Sequence, residues 1–255
     1  DDLFPVRIAV FKIAQEFFTS KMSPLDRDAL DRAKKAGFSD AAIAKLRDTT
    51  MEKIRTERIG HGIVPVVKQI DTLAGEFPAQ TNYLYMTYNG SEHDVNFAEN
   101  TDKRPKALVL GGGPYSIGSS VEFDWCCVQA GRELARQGYQ VAMINSNPET
   151  VSTDYDECDA LFFEQLTEER VRDIADLLNP DGIVVSMGGQ IPNSLCPKLA
   201  RAGLKILGTK AEDIDRAEDR HKFSGMLDTL GVDQPEWKEF ADHASARTFA
   251  EDVGF

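Results

Sequence analysis

Apolar positions follow two rhythms along this chain. Through residues 1–60 they recur every three or four residues, the spacing of a helix face packed on a core. Ile8, Phe11, Ala14 and Phe18 share one face. Ser23-Pro24 followed by Asp26 has the form of an N-cap with proline at the first helical position, and Gly37 ends that helix. Ser39-Asp40 opens the next, with Ala42, Ile43 and Leu46 inward. Thr50 caps a further helix that carries Met51, Ile54 and Arg58 and ends near Gly60. No strand pattern occurs in these sixty residues. Residues 61–105 read as a connector in which Val64–Val67 and Tyr83–Met86 are extended and Asn89-Gly90 turns the chain.

From Lys106 the rhythm changes to short apolar runs alternating with amphipathic helices. The expected strands are Ala107–Leu110, Val141–Ile144, Asp159–Phe163, Gly182–Val185 and Leu204–Leu207. The expected helices run from Ser119 to Gln137, from the cap Thr167 through Leu178 with charge crowded on one side, and from Pro192 to Ala202. Uninterrupted apolar strands between helices predict a parallel sheet covered on both faces. The fold class is therefore α/β, a Rossmann-like parallel-sheet domain preceded by an all-α helical domain. Ligands of such sheets meet the loops at the carboxyl ends of the strands. Here those are Gly111–Gly118, Asn145–Asp156 and Ser186–Gln190.

Charge divides the chain the same way. The balance is +2 over residues 1–60, −3 over 61–105 and −12 over 106–255, giving −13 in all. A DNA reader needs basic side chains gathered on one face, so nucleic acid is not an expected partner. No apolar run approaches the roughly 18 residues of a membrane span, so no membrane association is expected. The start at Asp1-Asp2 has no signal-peptide form, and with no initiator Met the chain reads as a piece of a longer protein. Cys126, Cys127, Cys158 and Cys196 form no C-x-x-C pair, and the four histidines are scattered, so no structural metal is expected. The four thiols read as small buried apolar groups in a reducing compartment.

Three loops carry the candidate chemistry. Gly111-Gly112-Gly113 followed by Gly118 joins a strand to a helix, a setting that lets an anion approach bare amides. A dinucleotide site fits poorly. Ser116 stands where the third glycine is needed, and the second strand ends in Asn145 rather than an acidic residue. No Gly-Lys-Ser/Thr follows, which excludes a P-loop. Tight-turn glycines with no ligand remain an alternative. The loop Asn145–Asp156 is long and dense in polar side chains, with Glu149 and Asp154 toward the cleft and Glu122 on the neighbouring helix. These carboxylates suit acid/base work or simple capping. The third loop adds close backbone and Gln190.

Taken together the loops resemble one family. Leu108–Pro114, Ile117–Cys126, Asn147–Asp156, Gly188-Gly189-Gln190 and Ile214–Arg220 are similar, in order and spacing, to the second half of the carbamoyl-phosphate synthetase large subunit. Lys68–Phe77 resembles the end of that family's helical oligomerisation domain, and Ile117-Gly118-Ser119-Ser120 is closer to the eukaryotic type.

The resemblance implies a helical oligomerisation domain and connector over 1–103, a pre-ATP-grasp α/β domain over 104–233, and the start of an ATP-grasp domain over 234–255. It implies an ATP-dependent ligase that makes carbamoyl phosphate from bicarbonate, ammonia or glutamine, and two ATP, for pyrimidine or arginine biosynthesis. The second half phosphorylates carbamate, and this stretch would be its scaffold and channel wall, inactive alone. Glu122, Glu149, Ser120, Asn147, Thr150 and Gln190 map to the channel lining, and Gly111, Gly112, Gly113 and Gly118 to the glycine loop. No catalytic residue is expected in this stretch. ATP and Mg²⁺ would be bound mainly by an ATP-grasp domain downstream. A glutamine amidotransferase, the first half of the synthetase and further copies of the chain are the expected partners, in the cytoplasm or in mitochondria. The alternatives are a non-catalytic assembly or regulatory module of the same fold, or a dinucleotide-binding oxidoreductase domain.

Overall fold

The structure is a computed structural model and describes residues 10, 12–15, 26–97, 102–115 and 121–254. Positions 10 and 12–15 are helical, while Ile8, Phe11 and Phe18 of the first expected helix, with Ser23 and Pro24, lie outside the described residues. Three helices then follow as the pattern predicts: α1 (Arg27–Lys35), α2 (Asp40–Arg47) and α3 (Met51–Gly60). Asp26, Ser39 and Thr50 cap them by accepting backbone N–H groups of the first turn. Leu30, Ala33, Ile43, Ala44, Ile54 and Ile63 form a small core of their own.

The rest is a seven-stranded sheet with β1 (Val66–Gln69), β2 (Tyr83–Thr87), β3 (Lys106–Leu110), β4 (Gln140–Asn145), β5 (Ala160–Phe163), β6 (Gly182–Val184) and β7 (Ile206–Leu207). The spatial order is β1-β2-β5-β4-β3-β6-β7. β1 and β2 pair antiparallel; the other strand pairs among the described residues are parallel. The connector therefore does more than link: its two extended segments hydrogen-bond to each other, and β2 extends the sheet beside β5.

Helices α4 (Val121–Arg136), α5 (Glu168–Leu178) and α6 (Gln190–Arg201) cover the sheet, and α7 (Ala211–Glu218), α8 (Arg220–Leu230) and α9 (His243–Val253) follow β7. Along β3, Ala107 through Leu110 are at most 1% exposed, because both faces are covered. Leu108 and Leu110 join Ile144, Phe162, Ile174 and Leu199 on one face, while Val109 joins Met143, Leu161 and Cys127 on the other. Each such fully buried side chain is worth about 1.5–3 kcal/mol.

The expectation that all four thiols are buried needs correction. Cys127 and Cys196 are buried, Cys158 is half-buried and Cys126 is exposed. Adjacent residues on a helix project about 100° apart, so Cys126 and Cys127 cannot both face the sheet. Among the described residues, no helix is long and apolar enough to cross a membrane.

Candidate functional site

Strand β3 has β4 on one side and β6 on the other, which is where the order of strands reverses. Loops leaving the carboxyl ends of these strands diverge there and leave a crevice. The glycine loop, the 145–156 loop and the 186–190 loop all start at this point.

Gly111, Gly112 and Gly113 are buried. The Gly111 N–H donates to the Ile144 carbonyl at 2.8 Å, which carries the sheet ladder one residue beyond β3. A Cβ on Gly111 would lie 2.7 Å from the Asn145 side chain, so no larger residue fits. Gly113 has φ +73°, a left-handed conformation that favours glycine, and packs against Ile191 and Leu166. The third loop closes in from the opposite side. A Cβ on Gly188 would meet the carbonyl oxygens of Leu110 and Gly111 at 2.6 and 2.7 Å.

A buried polar knot ties the first two loops to α4. Asn145 is 1% exposed and its Oδ1 accepts from the Gly113 N–H (3.1 Å) and the Asn147 N–H (3.3 Å). Its Nδ2 donates to Ser152 Oγ at 2.9 Å and to Asp124 Oδ1 at 3.4 Å. Asp124, 2% exposed on α4, also accepts the Ser152 N–H at 2.9 Å and the Ser152 hydroxyl. Three side chains thus fix the glycine loop, the 145–156 loop and the first turns of α4 relative to one another. Such buried groups are costly unless fully paired, and here each has partners. Nearby, the Cys127 thiol donates to the Leu110 carbonyl at 3.3 Å, and burial pushes its pKa up to about 12.

This knot was not among the site residues read from the sequence. The signal was present in two places. Asp124 lies on the same helical stripe as buried Cys127, Val128 and Gly131, and Asn145 ends a strand whose buried residues are otherwise apolar. A polar residue on an apolar face implies a buried partner.

Of the expected channel residues, Asn147, Glu149 and Thr150 lie on the loop that the knot fixes. Asn147 and Thr150 are half-buried, and Glu149 is exposed with its N–H held by Asn147 Oδ1 at 3.0 Å. Thr150 Oγ1 lies 2.9 Å from the Tyr115 hydroxyl and so joins the second loop to the glycine loop. Glu122 is exposed on the first turn of α4, and Gln190 is exposed at the start of α6. Ser116, Gly118 and Ser120 lie outside the described residues. Asn145, at the position where a dinucleotide site needs a ribose-binding carboxylate, has its amide turned back onto the loops.

Comparison with known proteins agrees with this arrangement. The carbamoyl phosphate synthase pre-ATP-grasp domain matches residues 103–216, and the oligomerisation domain of the carbamoyl-phosphate synthetase large chain matches residues 8–62. A carbamoyl phosphate synthase arginine-specific large chain from Cutaneotrichosporon cutaneum is 51% identical over 246 residues, covering 96% of this chain and 20% of the relative. The multifunctional protein CAD of Squalus acanthias is 52% identical over 229 residues, covering 90% of this chain and 10% of the relative. The mitochondrial arginine-specific large chain of Schizosaccharomyces pombe is 52% identical over 231 residues, 91% of this chain and 20% of the relative. The chain thus spans a tenth to a fifth of the length of these curated relatives. Matched over its helical layer and its sheet alike, it belongs to the carbamoyl-phosphate synthetase large-chain family.

Proposed function

We propose that this chain is the scaffold and channel wall of the half-synthetase that phosphorylates carbamate, within an ATP-dependent ligase that makes carbamoyl phosphate. The observation that carries the reading is the meeting of three loops at the strand-order reversal, two of them tied by one buried polar knot and the third packed on the glycine loop at Gly188. Carbamate is lost quickly in water, so a passage for it needs walls that exclude bulk solvent while offering polar contacts. Glu122, Glu149, Asn147, Thr150 and Gln190 supply those contacts in this reading.

ATP and Mg²⁺ belong elsewhere in the longer protein. The Gly111 and Gly113 amides are already donating within the fold. Those two amides are therefore not free to cradle a phosphate. A glutamine amidotransferase and the first half of the synthetase are the proposed partners, and the helical layer is the proposed site of self-association. The proposed location is the cytoplasm or the mitochondrion.

The test is Glu149→Gln in a full-length synthetase carrying this sequence. Carbamoyl phosphate formation should slow by about tenfold while bicarbonate-dependent ATP cleavage stays within about twofold, because the first reaction does not pass this wall. Equal loss of both activities, or of neither, would overturn the channel role.

A further inference from the structure

Much of the charge crowded on one side of α5 is turned from water: the Glu169 and Asp173 side chains are 11% and 4% exposed, while Asp176 at the far end is exposed. Glu169, Asp173 and Asp176 stand four and three residues apart on one helical face, and they meet the helical layer. Glu169 Oε1 accepts from Lys34 Nζ of α1, and its Oε2 accepts the backbone N–H of Asp40, each at 2.5 Å. Asp40 is the first residue of α2, so its N–H has no partner within its own helix. The Glu169 carboxylate therefore caps α2 from another layer, at the helix end that favours negative charge. The Lys34 side chain is 1% exposed and that of Glu169 11%.

The segment between β5 and α5 runs directly from this joint to the glycine loop. At its start Glu164 Oε1 accepts the Met86 N–H of β2 at 2.6 Å, and Glu164 Oε2 pairs with Arg170 at 3.0 Å. At its end stands Glu169. Between them the Leu166 methyl packs on Gly113, 3.4 Å from where a Cβ would sit. Behind the segment lies a cavity of about 580 Å³, lined in part by Phe38, Tyr88, Glu164 and Lys198. Leu166 packs on the main apolar core, and polar anchors at Glu164 and Glu169 hold the segment on either side of it.

We propose that Glu169 is a positioning residue that couples the helical layer to the glycine loop, through the segment that presses Leu166 onto Gly113. The helical layer then does more than assemble the protein: it sets the wall of the polar crevice. The role of that crevice as a channel rests on the function proposed above, but the coupling itself does not.

Hydrogen exchange on this chain tests it. Glu169→Ala should raise exchange at residues 38–42, and also raise it by about threefold or more at residues 111–115, with residues 141–144 unchanged. Glu169→Gln, which keeps an acceptor for the Asp40 N–H, should restore part of the protection at both places. Faster exchange at 38–42 with wild-type exchange at 111–115 would overturn the coupling. If Glu169→Ala does not fold, Leu166→Ala breaks the far end of the same path. It should loosen 111–115 and leave 38–42 intact, and an unmoved 111–115 would overturn the proposal. In the full-length synthetase, Glu169→Ala should lower the carbamoyl phosphate formed per ATP cleaved. Raised exchange at 111–115 with an unchanged ratio would uphold the coupling and count against the channel reading.

Discussion

At the scale of single residues the crevice depends on groups that cannot be replaced singly. Asn145→Ala strips an acceptor from two backbone N–H groups and a donor from Asp124 and Ser152. Each buried group left unpaired costs about 1–3 kcal/mol. For a chain of this size that is a fall of about 2–4 °C in Tm per kcal/mol. Thermal unfolding should show a loss of roughly 4–10 °C, and a change under 1 °C would mean water replaces the amide at no cost. The thiols give a second expectation. Burial pushes Cys127 and Cys158 up to about 12 and raises Cys196, so their thiolates are scarce at pH 8. Cys126 alone is exposed. One thiol of the native chain should react quickly with a disulfide reagent, and all four after denaturation. Two fast thiols would show that a buried one opens.

The elements were legible where their signal is local. Ser39, Thr50 and Thr167 cap the helices as their sequence context indicates, and every strand expected after residue 105 is present. Partners distant in sequence were not legible. The acidic face of α5 could be seen, but Lys34, Arg55 and Arg58, which pair with it, lie 115 to 135 positions away. Nor could the pattern show that Tyr88 would sit among cations, with Lys34, Arg58 and Arg170 at 5.0, 5.6 and 6.0 Å from its ring. The knot at Asn145 was missed for the same reason, since Asp124 and Ser152 meet only after α4 packs on the sheet.

One carboxyl on this joint has a pH signature. Burial raises the pKa of Glu164, and the neighbouring Arg170 only partly opposes it. A carboxyl whose folded pKa exceeds its unfolded value holds its proton more tightly in the native state. Its stabilisation is full below the unfolded value and is lost as pH rises through the folded one. Glu164→Gln cannot titrate and lacks this loss. The stability of the wild type relative to the variant should therefore shrink as pH rises from about 4 to 7, as read from urea midpoints. A gap that widens over that range would mean the Arg170 pairing outweighs burial.

For the whole molecule, the question is whether the helical layer and the sheet are separate units. Composition and charge change near residue 103, and the helices before β1 have an apolar core separate from that of the sheet. Those facts argue for two units that melt apart. The buried ions argue the reverse. Arg58 is fully buried and donates to Asp40 of its own layer, to Asp173 of α5 and to the Ile63 carbonyl. Burial would lower its pKa, but the charges of Asp173 and Asp40 outweigh it and hold the guanidinium ionised. Separating the layers would strip Asp173 of Arg58 and Arg55 and Glu169 of Lys34, although Arg58 would keep Asp40. Breaking such a buried pair costs about 3–5 kcal/mol. That is a large share of the roughly 5–15 kcal/mol that stabilises a domain. Neither layer can then melt without destabilising the other. Calorimetry of this chain should give one transition, with calorimetric and van't Hoff enthalpies equal. Arg58→Met leaves Asp40 and Asp173 without that cation, and should lower Tm and split the transition as the helical layer loosens first. Two well-separated transitions in the wild-type chain would show that the layers fold independently, and that the charge cluster is only a contact between them.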